Sequence, residues 1–515
     1  MTPIDFFNRG CLISPDGICL TDGTRSLTFR EASALANRVA RSLQREGKGK
    51  GAVVAVYGYN HVMTMVVVLG ILKAGCIWMP LNVRNGREEL AHALRIHDTS
   101  FIFYHSAVLG MIESILPDIP TCTGAISLDG GGPGIGLKQW SAGEDDGDLQ
   151  IAREADDVLA IRATGGTTGP SKGVMVTGRT YATMYANMFS CLPTRGRPVH
   201  LAVAPLSHAS SALVFPTFAY GGINVILEKV DIELVLRAVQ EWKVTHIFVP
   251  PTLLYMLLDS PKVRAYDYSS LQYIVYAGAP MSADRLREAM DVFGPVMAQG
   301  FGQAEAPFFC TILNPKEHAE AIELGHEKRL ASCGRPTPFT RVAVMADDGR
   351  LLAAGETGEI VVQGDIVMKG YYNNPEATAQ VSQFGWHHTG DVGYRDEDGF
   401  FYIVDRKRDL IISGGFNIAP SEIERALWAH PAVGDCAVVG VPDEKWGEAI
   451  KAVVELRAGR SASEEELRDF CRARLGGMKT PKSIEFWPQL PRSPIGKVMK
   501  RQVRDRFWKG HFRKV

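Results

Sequence analysis

A segment rich in glycine and threonine, with one lysine, is the part of the chain whose residue types point most directly to chemistry. It reads TGGTTGPSKGV, covers residues 164–174 and follows an apolar run at 158–162 that predicts a buried strand. Glycines let backbone N–H groups approach an anion closely, hydroxyls add donors, and Lys172 adds positive charge. The segment therefore predicts a polyphosphate cradle, with a plain glycine/threonine turn as the alternative. A Walker A loop is excluded, because the lysine here precedes a glycine instead of Ser or Thr.

The elements that position this loop follow from the hydrophobic pattern. Between residues 50 and 300 short apolar runs alternate with helical patterns, which predicts βαβ units and largely parallel sheets. The predicted strands lie at 52–58, 77–81, 101–105, 158–162, 200–205, 223–228, 245–250 and 273–278, with helices at 61–74 and 86–97. The glycine-rich stretch at 130–148 lacks G-x-G-x-x-G spacing and predicts a solvated connector.

The pattern changes after residue 335. Alternating strands with Asp-Gly turns predict an antiparallel sheet or barrel at 335–404. Beyond a charged cluster at 405–409, a helix near 421–429, strands near 436–441 and 449–456, and a helix near 463–474 predict a second, smaller unit. The fold class is therefore α/β, with two βαβ-type subdomains and an antiparallel, barrel-like subdomain followed by a small α+β domain.

The overall composition excludes several classes of protein. The 515 residues are 46% hydrophobic and 22% charged, as in ordinary globular chains, and predict two to four folding units. With 56 Lys+Arg against 57 Asp+Glu, no bulk positive field would draw the chain to nucleic acid or to an anionic membrane. Nine scattered cysteines without a C-x-x-C pair indicate neither a disulfide framework nor a zinc knuckle, and they fit a reducing cytosol.

No targeting or membrane segment is expected. The N-terminus, MTPIDFFNRG, lacks the basic and apolar regions of a secretory signal. The most apolar run, 63–72, is shorter than the ~20 residues that cross a bilayer, and it predicts a buried helix. We therefore expect a cytoplasmic protein without an integral membrane segment.

Read together with later stretches, the 164–174 loop resembles the phosphate loop of the adenylate-forming superfamily of acyl-CoA synthetases, luciferases and peptide-synthetase adenylation domains. The family loop usually reads T-S-G-T-T-G-x-P-K-G, and this chain has Gly165 and Ser171 at the two departures. The resemblance continues over nearly the whole chain, through PLSH (205–208), YAGAP (276–280), QGFGQAEAP (299–307), GYYNNPEAT (370–378), WHHTGDVG (386–393), VDRKRDLIISGGFNIAPSEIE (404–424) and PRSPIGKVMKRQVR (491–504). Ala304 replaces the threonine of the usual Y-G-x-T-E box, which removes one hydroxyl contact to phosphate.

The resemblance implies roles for individual residues. Lys497, Lys172, Glu305 and His208 would be catalytic, Glu305 would hold Mg²⁺, and Asp391 would bind the ribose hydroxyls. The implied ATP and AMP site contains Thr164, Gly165, Gly166, Thr167, Thr168, Gly169, Lys172, Gly278, Ala279, Pro280, Gln299, Gly300, Phe301, Gly302, Gln303, Asp391, Arg406 and Lys497. The implied division is a large domain at 1–405, a hinge at 406–409 with Arg408 as its pivot, and a small mobile domain at 410–515.

The implied acyl pocket consists of apolar or small residues with one histidine. Its members are His208, Ser210, Ser211, Leu213, Phe215, Ala277, Gly278, Phe301, Ala306 and Pro307. This set contains no Arg or Lys that could pair with a second carboxylate, so an apolar aryl or medium-length acid is expected. The implied CoA site consists of Ser413, Gly414, Gly415, Phe416 and Trp446.

The reaction implied by the resemblance has two halves. A carboxylic acid attacks the α-phosphorus of MgATP to form an acyl-adenylate, and the thiol of CoA then displaces AMP. The alternative is a stand-alone adenylation enzyme that loads an acyl group onto a carrier protein. An amino-acid substrate is disfavoured because ASSALVFPTF (209–218) carries no aspartate for an amine, and a pseudo-enzyme has only Ala304 in its favour. No nucleic-acid partner is expected, and a homodimer is left open.

Overall fold

The computed structural model describes residues 1–132, 134–149, 151–163, 172–279, 281–492 and 498–509. These residues form 25 strands and 16 α-helices. In chain order the strands are β1 (Ile18–Thr21), β2 (Ser26–Thr28), β3 (Val53–Tyr57), β4 (Ile77–Leu81), β5 (Phe101–Tyr104), β6 (Ala125–Ser127), β7 (Val158–Ala163), β8 (Gly173–Thr177), β9 (Val199–Ala202), β10 (Ile223–Ile226), β11 (His246–Val249), β12 (Tyr273–Tyr276), β13 (Met297–Phe301), β14 (Thr311–Leu313), β15 (Arg335–Pro336), β16 (Arg341–Met345), β17 (Thr357–Gln363), β18 (Gly370–Tyr371), β19 (His387–Arg395), β20 (Phe401–Arg406), β21 (Ile411–Ser413), β22 (Phe416–Ile418), β23 (Val433–Asp443), β24 (Gly447–Leu456) and β25 (Ser483–Phe486).

The helices alternate with these strands through most of the chain. They are α1 (Pro3–Ile13), α2 (Phe29–Arg45), α3 (Val62–Lys73), α4 (Arg87–Ile96), α5 (Leu109–Ile115), α6 (Leu137–Trp140), α7 (Gly178–Cys191), α8 (Ser211–Ala219), α9 (Ile232–Glu241), α10 (Pro251–Leu258), α11 (Ala283–Phe293), α12 (Pro315–Glu323), α13 (Pro375–Gln380), α14 (Pro420–Trp428), α15 (Glu464–Leu475) and α16 (Lys500–Phe507). The predicted α/β class is thereby confirmed.

The described strands form four sheets. A nine-stranded sheet has the order β15-β14-β13-β12-β11-β9-β10-β1-β2, and a seven-stranded sheet has the order β18-β8-β7-β4-β3-β5-β6. Strands β9 to β13 pair in parallel, as the alternating pattern predicts, whereas β18 pairs antiparallel with β8. The four-stranded antiparallel sheet has the order β16-β17-β19-β20, and the small C-terminal sheet contains β21 to β25.

The largest hydrophobic core includes side chains from the first three of these sheets. Helix α3 is buried over its whole length, because its sequence VMTMVVVLGILK leaves no polar face to turn toward water. The prediction of a buried helix at this run is confirmed. Within the described part of the chain, no helix is long and apolar enough to cross a membrane.

The stretch predicted as a solvated connector is only partly exposed. Residues 137–140 form the short helix α6, and its Trp140 packs against Phe101 and Phe103 in the core. Arg45 on α2 donates to the Trp140 carbonyl at 3.0 Å, and Arg38 pairs with Asp146 at 2.5 Å. Most described positions of 130–148 are nevertheless exposed, as expected of a solvated connector, and the Trp140 indole anchors the stretch to the core.

The small sheet is attached to the end of the four-stranded sheet through short polar contacts. The Ser421 backbone N–H, at the start of α14, donates to Asp405 Oδ2 at 2.7 Å. The Ser421 hydroxyl also donates to the Val404 carbonyl. Within the small domain, Lys500 of α16 pairs with the buried Glu424 of α14 at 2.7 Å. The Ser421 contacts join the two units at residues 404–405, and the domain boundary between 405 and 406 stays a prediction.

Several buried histidines predict how the free energy of unfolding depends on pH. Burial lowers the pKa of His200 and of His318 to about 4, well under the ~6.5 of an exposed imidazole. Between these two values the unfolded chain binds protons that the folded chain does not. We therefore expect the free energy of unfolding to decrease from pH 6.5 towards pH 4, by up to about 1.4 kcal/mol per pH unit for each such histidine.

Urea unfolding at pH 7, 6 and 5 measures this dependence. His200→Gln should reduce the number of protons taken up on unfolding by about one, so the free energy of unfolding should change less with pH. His326→Gln, at an exposed position, should leave this pH dependence unchanged. Equal stability of the wild type at pH 7 and pH 5 would contradict the expectation.

Candidate active site

Two groups of opposite charge meet at one tyrosine. The Tyr371 hydroxyl donates to Glu305 Oε1 at 2.7 Å, and Lys172 Nζ lies 4.9 Å from the centre of the Tyr371 ring. Burial, and next the negative charge of Glu305, raise the pKa of Tyr371, so the phenol keeps the proton that it donates. Tyr371 thus holds the carboxylate by its hydroxyl and the ammonium group by its ring.

Backbone hydrogen bonds fix these residues from both sides. The Tyr372 N–H donates to Gly173 O, and the Met368 N–H donates to Glu305 O, each at 2.7 Å. Gly173 has to be glycine, because a Cβ atom there would lie 2.1 Å from His97 Nε2. The short strand β18 therefore ties the segment after Lys172 to the loop that carries Glu305.

The loop at 299–307 begins at the carboxyl end of a strand in the parallel part of the nine-stranded sheet. Strands β12 and β13 are neighbours, so the exposed Gly278 and Ala279 leave the sheet at the same edge as this loop. Gln303 N–H donates to Ala306 O at 2.9 Å in a tight turn. A Cβ atom on Gly302 would lie 2.8 Å from Ala306 O, so glycine is required for the turn that presents Glu305.

Asp391 and Arg406 face each other across strands β19 and β20. Arg406 Nε lies 2.7 Å from Asp391 Oδ1, and Arg406 Nη1 donates to Thr389 O at 3.3 Å. The Asp391 side chain is 5% exposed, and the guanidinium offsets the cost of burying its charge. An oriented carboxylate of this kind suits a vicinal diol.

A side-chain contact joins this pair to the 299–307 loop. Gln303 Nε2 donates to His387 Nε2 at 3.1 Å. Burial lowers the pKa of His387 to about 4, which keeps the ring neutral and able to accept that hydrogen bond. The strand that carries Asp391 is thereby tied to the loop that carries Glu305.

Glu359 is a charged anchor that the motif analysis missed. Its carboxylate lies 3.1 Å from His388 Nδ1 and 3.2 Å from Lys407 Nζ, and it accepts the Gly390 N–H at 2.9 Å. Burial by itself would raise the pKa of Glu359, but these donors outweigh burial and lower it. Glu359 therefore fixes the segment before Asp391 to the first residue after Arg406.

His208 lies at the start of the predicted acyl pocket. Burial, and next the charges of Arg162 and Arg84, lower its pKa to about 4, so the imidazole is neutral. Its Nδ1 is 2.9 Å from Ser207 Oγ, and its carbonyl accepts the Ser211 hydroxyl at 2.7 Å. A neutral histidine here can meet a carboxylate as a hydrogen-bond donor without a fixed positive charge.

The other predicted pocket residues fall into two packed clusters. Leu213 and Ala277 belong to one cluster, whereas Phe215, Phe301 and Ala306 belong to the large core. The remaining members, Ser210, Ser211, Gly278 and Pro307, are two buried serines, an exposed glycine and a half-buried proline.

An arginine that was not among the predicted pocket residues contacts one of them. Arg162 Nη2 donates to Ser211 Oγ at 3.1 Å. Sequence reasoning missed it because Arg162 belongs to β7, the strand before the phosphate loop, and not to the 205–215 segment that supplied the pocket residues. Because side chains alternate between the two faces of a strand, Arg162 lies on the same face of β7 as Ala160.

The predicted CoA face is a glycine turn flanked by aromatic side chains. Gly414 and Gly415 have φ values of +58° and +82°, which glycine adopts without strain. A Cβ atom on Gly414 would lie 2.8 Å from the Trp446 ring, and the Gly414 N–H donates to the Trp446 carbonyl. Phe416 and Trp446 are 56% and 42% exposed, so this turn offers apolar surface beside Ser413.

Arg408, the predicted pivot of the hinge, is half-buried, and burial lowers its pKa.

Some predicted residues lie outside the described part of the chain. They are Thr164, Gly165, Gly166, Thr167, Thr168, Gly169, Pro280 and Lys497. Among the described residues, no group of three or more His, Cys, Asp or Glu could hold a metal ion. Glu305 still fits Mg²⁺, because this ion keeps several waters and is often bound by one or two carboxylates together with substrate phosphates.

The four sheets define an α/β protein with a large N-terminal and a small C-terminal domain, and Lys172, Tyr371 and Glu305 meet where two of the large domain's sheets adjoin. The chain belongs to the AMP-binding enzyme family, as the resemblance to the adenylate-forming superfamily implies. The sequence model of the AMP-binding enzyme matches residues 7–372, and that of the AMP-binding enzyme C-terminal domain matches residues 422–497.

Individual relatives agree with this assignment. A feruloyl-CoA synthase of Amycolatopsis is 36% identical over 501 residues, which cover 97% of this chain and 98% of that protein. A medium/long-chain-fatty-acid–CoA ligase of Mycobacterium tuberculosis, FadD8, is 42% identical over 367 residues, 70% of this chain and 63% of that protein. The structure of the amide bond synthetase McbA from Marinactinospora thermotolerans has a TM-score of 0.88 at 30% identity, and the match covers 98% of this chain and all of that one. The predicted enzyme class of acid–thiol ligases is confirmed by the first two.

The Tyr371 contacts predict a defect specific to ATP use. Tyr371→Phe keeps the ring beneath Lys172 but removes the hydrogen bond to Glu305. A hydrogen bond to a charged group contributes about 1.5–3 kcal/mol, so kcat/KM for MgATP should fall about 10- to 100-fold. Pyrophosphate release at varied ATP concentration measures the effect.

The neighbouring tyrosine provides a matched control. Tyr372 also donates to a carboxylate, Asp98 Oδ2, at 3.2 Å, but this carboxylate is exposed. Tyr372→Phe should leave kcat/KM for MgATP near the wild-type value. Equal behaviour of the two variants would remove Tyr371 from the site.

Proposed function

We propose that the chain is an AMP-forming carboxylic acid–CoA ligase that activates an aryl or medium-chain acid as its acyl-adenylate. The observation that carries this proposal is the meeting of Lys172 and Glu305 on Tyr371. A magnesium-bound polyphosphate needs a cation beside its phosphate oxygens and a carboxylate beside its metal ion, and Lys172 and Glu305 are groups of these two kinds. The full-length similarity to named CoA ligases supports the same reaction class.

In the first half-reaction the protein binds and orients while the substrate carboxylate acts as the nucleophile. Lys172 and Lys497 place positive charge where negative charge gathers at the α-phosphate. The neutral His208 donates a hydrogen bond that orients the acid. When bound to Glu305, Mg²⁺ supplies further neutralisation of the phosphate oxygens.

The nucleoside end of ATP is assigned to the antiparallel sheet. Asp391, oriented by Arg406, accepts hydrogen bonds from the two ribose hydroxyls. The loop at 299–303 and the residues at 278–280 border the adenine, which approaches the exposed edge after β12. This arrangement fixes the α-phosphate between the ribose and the Lys172 side of the site.

The second half-reaction uses the small domain. We assign the Gly414–Gly415 turn, with the exposed Phe416 and Trp446, to the channel through which the CoA thiol arrives. Rotation of residues 410–515 about the 406–409 hinge would bring first Lys497 and then this turn to the large domain at 1–405. The hinge cations, Arg408 among them, would exchange partners during this step.

The alternative acceptor is a carrier protein, and the similarity to an amide bond synthetase adds amines as a third class. The exposed aromatic turn favours CoA, because the pantetheine arm needs a partly apolar channel. We keep the cytoplasmic location as part of the proposal and leave a homodimer open.

Analysis of products tests the proposed reaction. With MgATP, CoA and an aryl or medium-chain acid, we expect AMP, pyrophosphate and the acyl-CoA thioester in equal amounts. Release of ADP and phosphate would contradict adenylate formation. If CoA does not react with the acyl-adenylate but a carrier protein or an amine does, that molecule and not CoA is the acceptor.

The two half-reactions should separate in a lysine variant. Lys497→Ala should slow acyl-adenylate formation by at least ~10² to 10³, because one positioned donor at the developing charge is lost. Thioester formation from supplied acyl-adenylate and CoA should persist at a substantial rate. Lys482→Ala, at an exposed position of the same domain, serves as the control. Equal loss in both steps of a folded Lys497→Ala variant would contradict domain alternation.

A further inference from the structure

A guanidinium group lies against the predicted acyl pocket. Arg162 stands at the end of β7, two residues before the phosphate loop, and is half-buried. Its Nη2 donates to Ser211 Oγ at 3.1 Å and to the Tyr181 hydroxyl at 3.4 Å, and its Nη1 lies 3.5 Å from His208 O. All three acceptors are neutral oxygen atoms.

Among the described residues, no carboxylate stands beside the positive charge of Arg162. Within the described residues, no ion pair involves Arg162, and its other contact is the Trp78 ring at 5.4 Å from Cζ. Cations that leave water are generally paired, because hydrogen bonds to neutral groups offset only part of the desolvation cost. The position therefore favours an anion or a strong oxygen acceptor from a ligand.

Three buried polar atoms belong to residues next to Arg162 or next to its hydrogen-bond partners. Trp78 Nε1, the Tyr185 hydroxyl and Ser210 Oγ are buried and lack a hydrogen-bond partner among the described residues. Tyr185 stacks on Tyr181 at 5.9 Å between ring centres, and the charge of Arg162 acts to lower the pKa of Tyr185 against the larger effect of burial. Buried donors of this kind are rare in native proteins unless water or a ligand meets them.

Aromatic side chains surround Arg162. Trp78, Tyr181 and Tyr185 are each less than 5% exposed and belong to the large hydrophobic core. Hydroxyl and guanidinium donors stand at their edges, beside Ser211 on α8. Rings with donors at the edge suit a flat aromatic group that carries oxygen better than they suit a bare alkyl chain.

We propose that Arg162, with Tyr181 and Ser211, forms a polar end of the acyl site that selects aryl acids bearing an oxygen acceptor on the ring. This inference rests on the proposed ligase function and deepens it by naming the substrate class. The ring oxygen accepts from the guanidinium, while the reacting carboxylate stays with His208. Arg162 is then a specificity-determining residue.

Three cinnamic acids that differ only in the substituent at ring position 4 test the proposal. Calorimetry with a non-hydrolysable ATP analogue gives the Kd of cinnamic, 4-hydroxycinnamic and 4-carboxycinnamic acid. The wild type should bind the two oxygenated acids more tightly. In Arg162→Leu this preference should fall about 10- to 100-fold, because a charged hydrogen bond is lost. Arg162→Lys should keep part of it, since a charge remains without the planar fork.

Other variants separate this role from a structural one. Ser211→Ala removes one hydroxyl of the proposed polar end and should lower the preference, but by less than Arg162→Leu does, because the guanidinium remains. Arg179→Leu, an exposed arginine on α7 paired with Asp156, is the control for loss of a cation. Melting temperatures report folding for every variant.

Three results would overturn the inference. The first is equal binding of the three acids by the wild type. The second is equal loss of binding for all three acids in a folded Arg162→Leu variant, which would place Arg162 on the reacting carboxylate. The third is a large drop in the melting temperature of both Arg162→Leu and Arg162→Lys with the preference unchanged. Because binding is measured without turnover, failure to form acyl-CoA would count against the ligase proposal alone.

Discussion

The hydrogen bond from Tyr371 to Glu305, beneath the ammonium group of Lys172, is the contact on which the arrangement of the site depends. It joins a strand of the seven-stranded sheet to a loop of the nine-stranded sheet. The two sheets are otherwise held together mainly by apolar packing, which is strong but has little directional preference. The short hydrogen bond between Tyr371 and the Glu305 carboxylate adds direction to this packing, and it fixes Glu305 and Lys172 at the same tyrosine.

In the antiparallel sheet, too, buried charges are held in place by partners of opposite charge or by hydrogen-bond donors. Asp391 is buried only because Arg406 stands opposite it, and Glu359 is buried only because three donors surround it. His387 and His208 differ from these carboxylates, because burial lowers their pKa and keeps the imidazoles neutral. The site thus combines paired fixed charges with buried neutral imidazoles.

The regular elements followed the local pattern closely. The run at 77–81 is a strand over those same residues, and the predicted helix at 61–74 became Val62–Lys73, because a continuous apolar run can only be buried. The pattern was less informative where one side chain decides the outcome. Trp140 anchors a mostly exposed glycine-rich stretch to the core, and Arg162 brings a charge to Ser211, which belongs to a distant segment of the chain.

The sequence alone determined the α/β class, the order of the elements and the family, since these depend on periodicity and on motifs within short segments. It also supplied Lys172, Glu305 and Asp391, each inside such a motif. Only the tertiary structure decided which of them meet. Tyr371 follows Lys172 by about two hundred residues, and Arg162 precedes Ser211 by forty-nine. Contacts at such separations arise from sheet order and strand register, which local patterns do not encode.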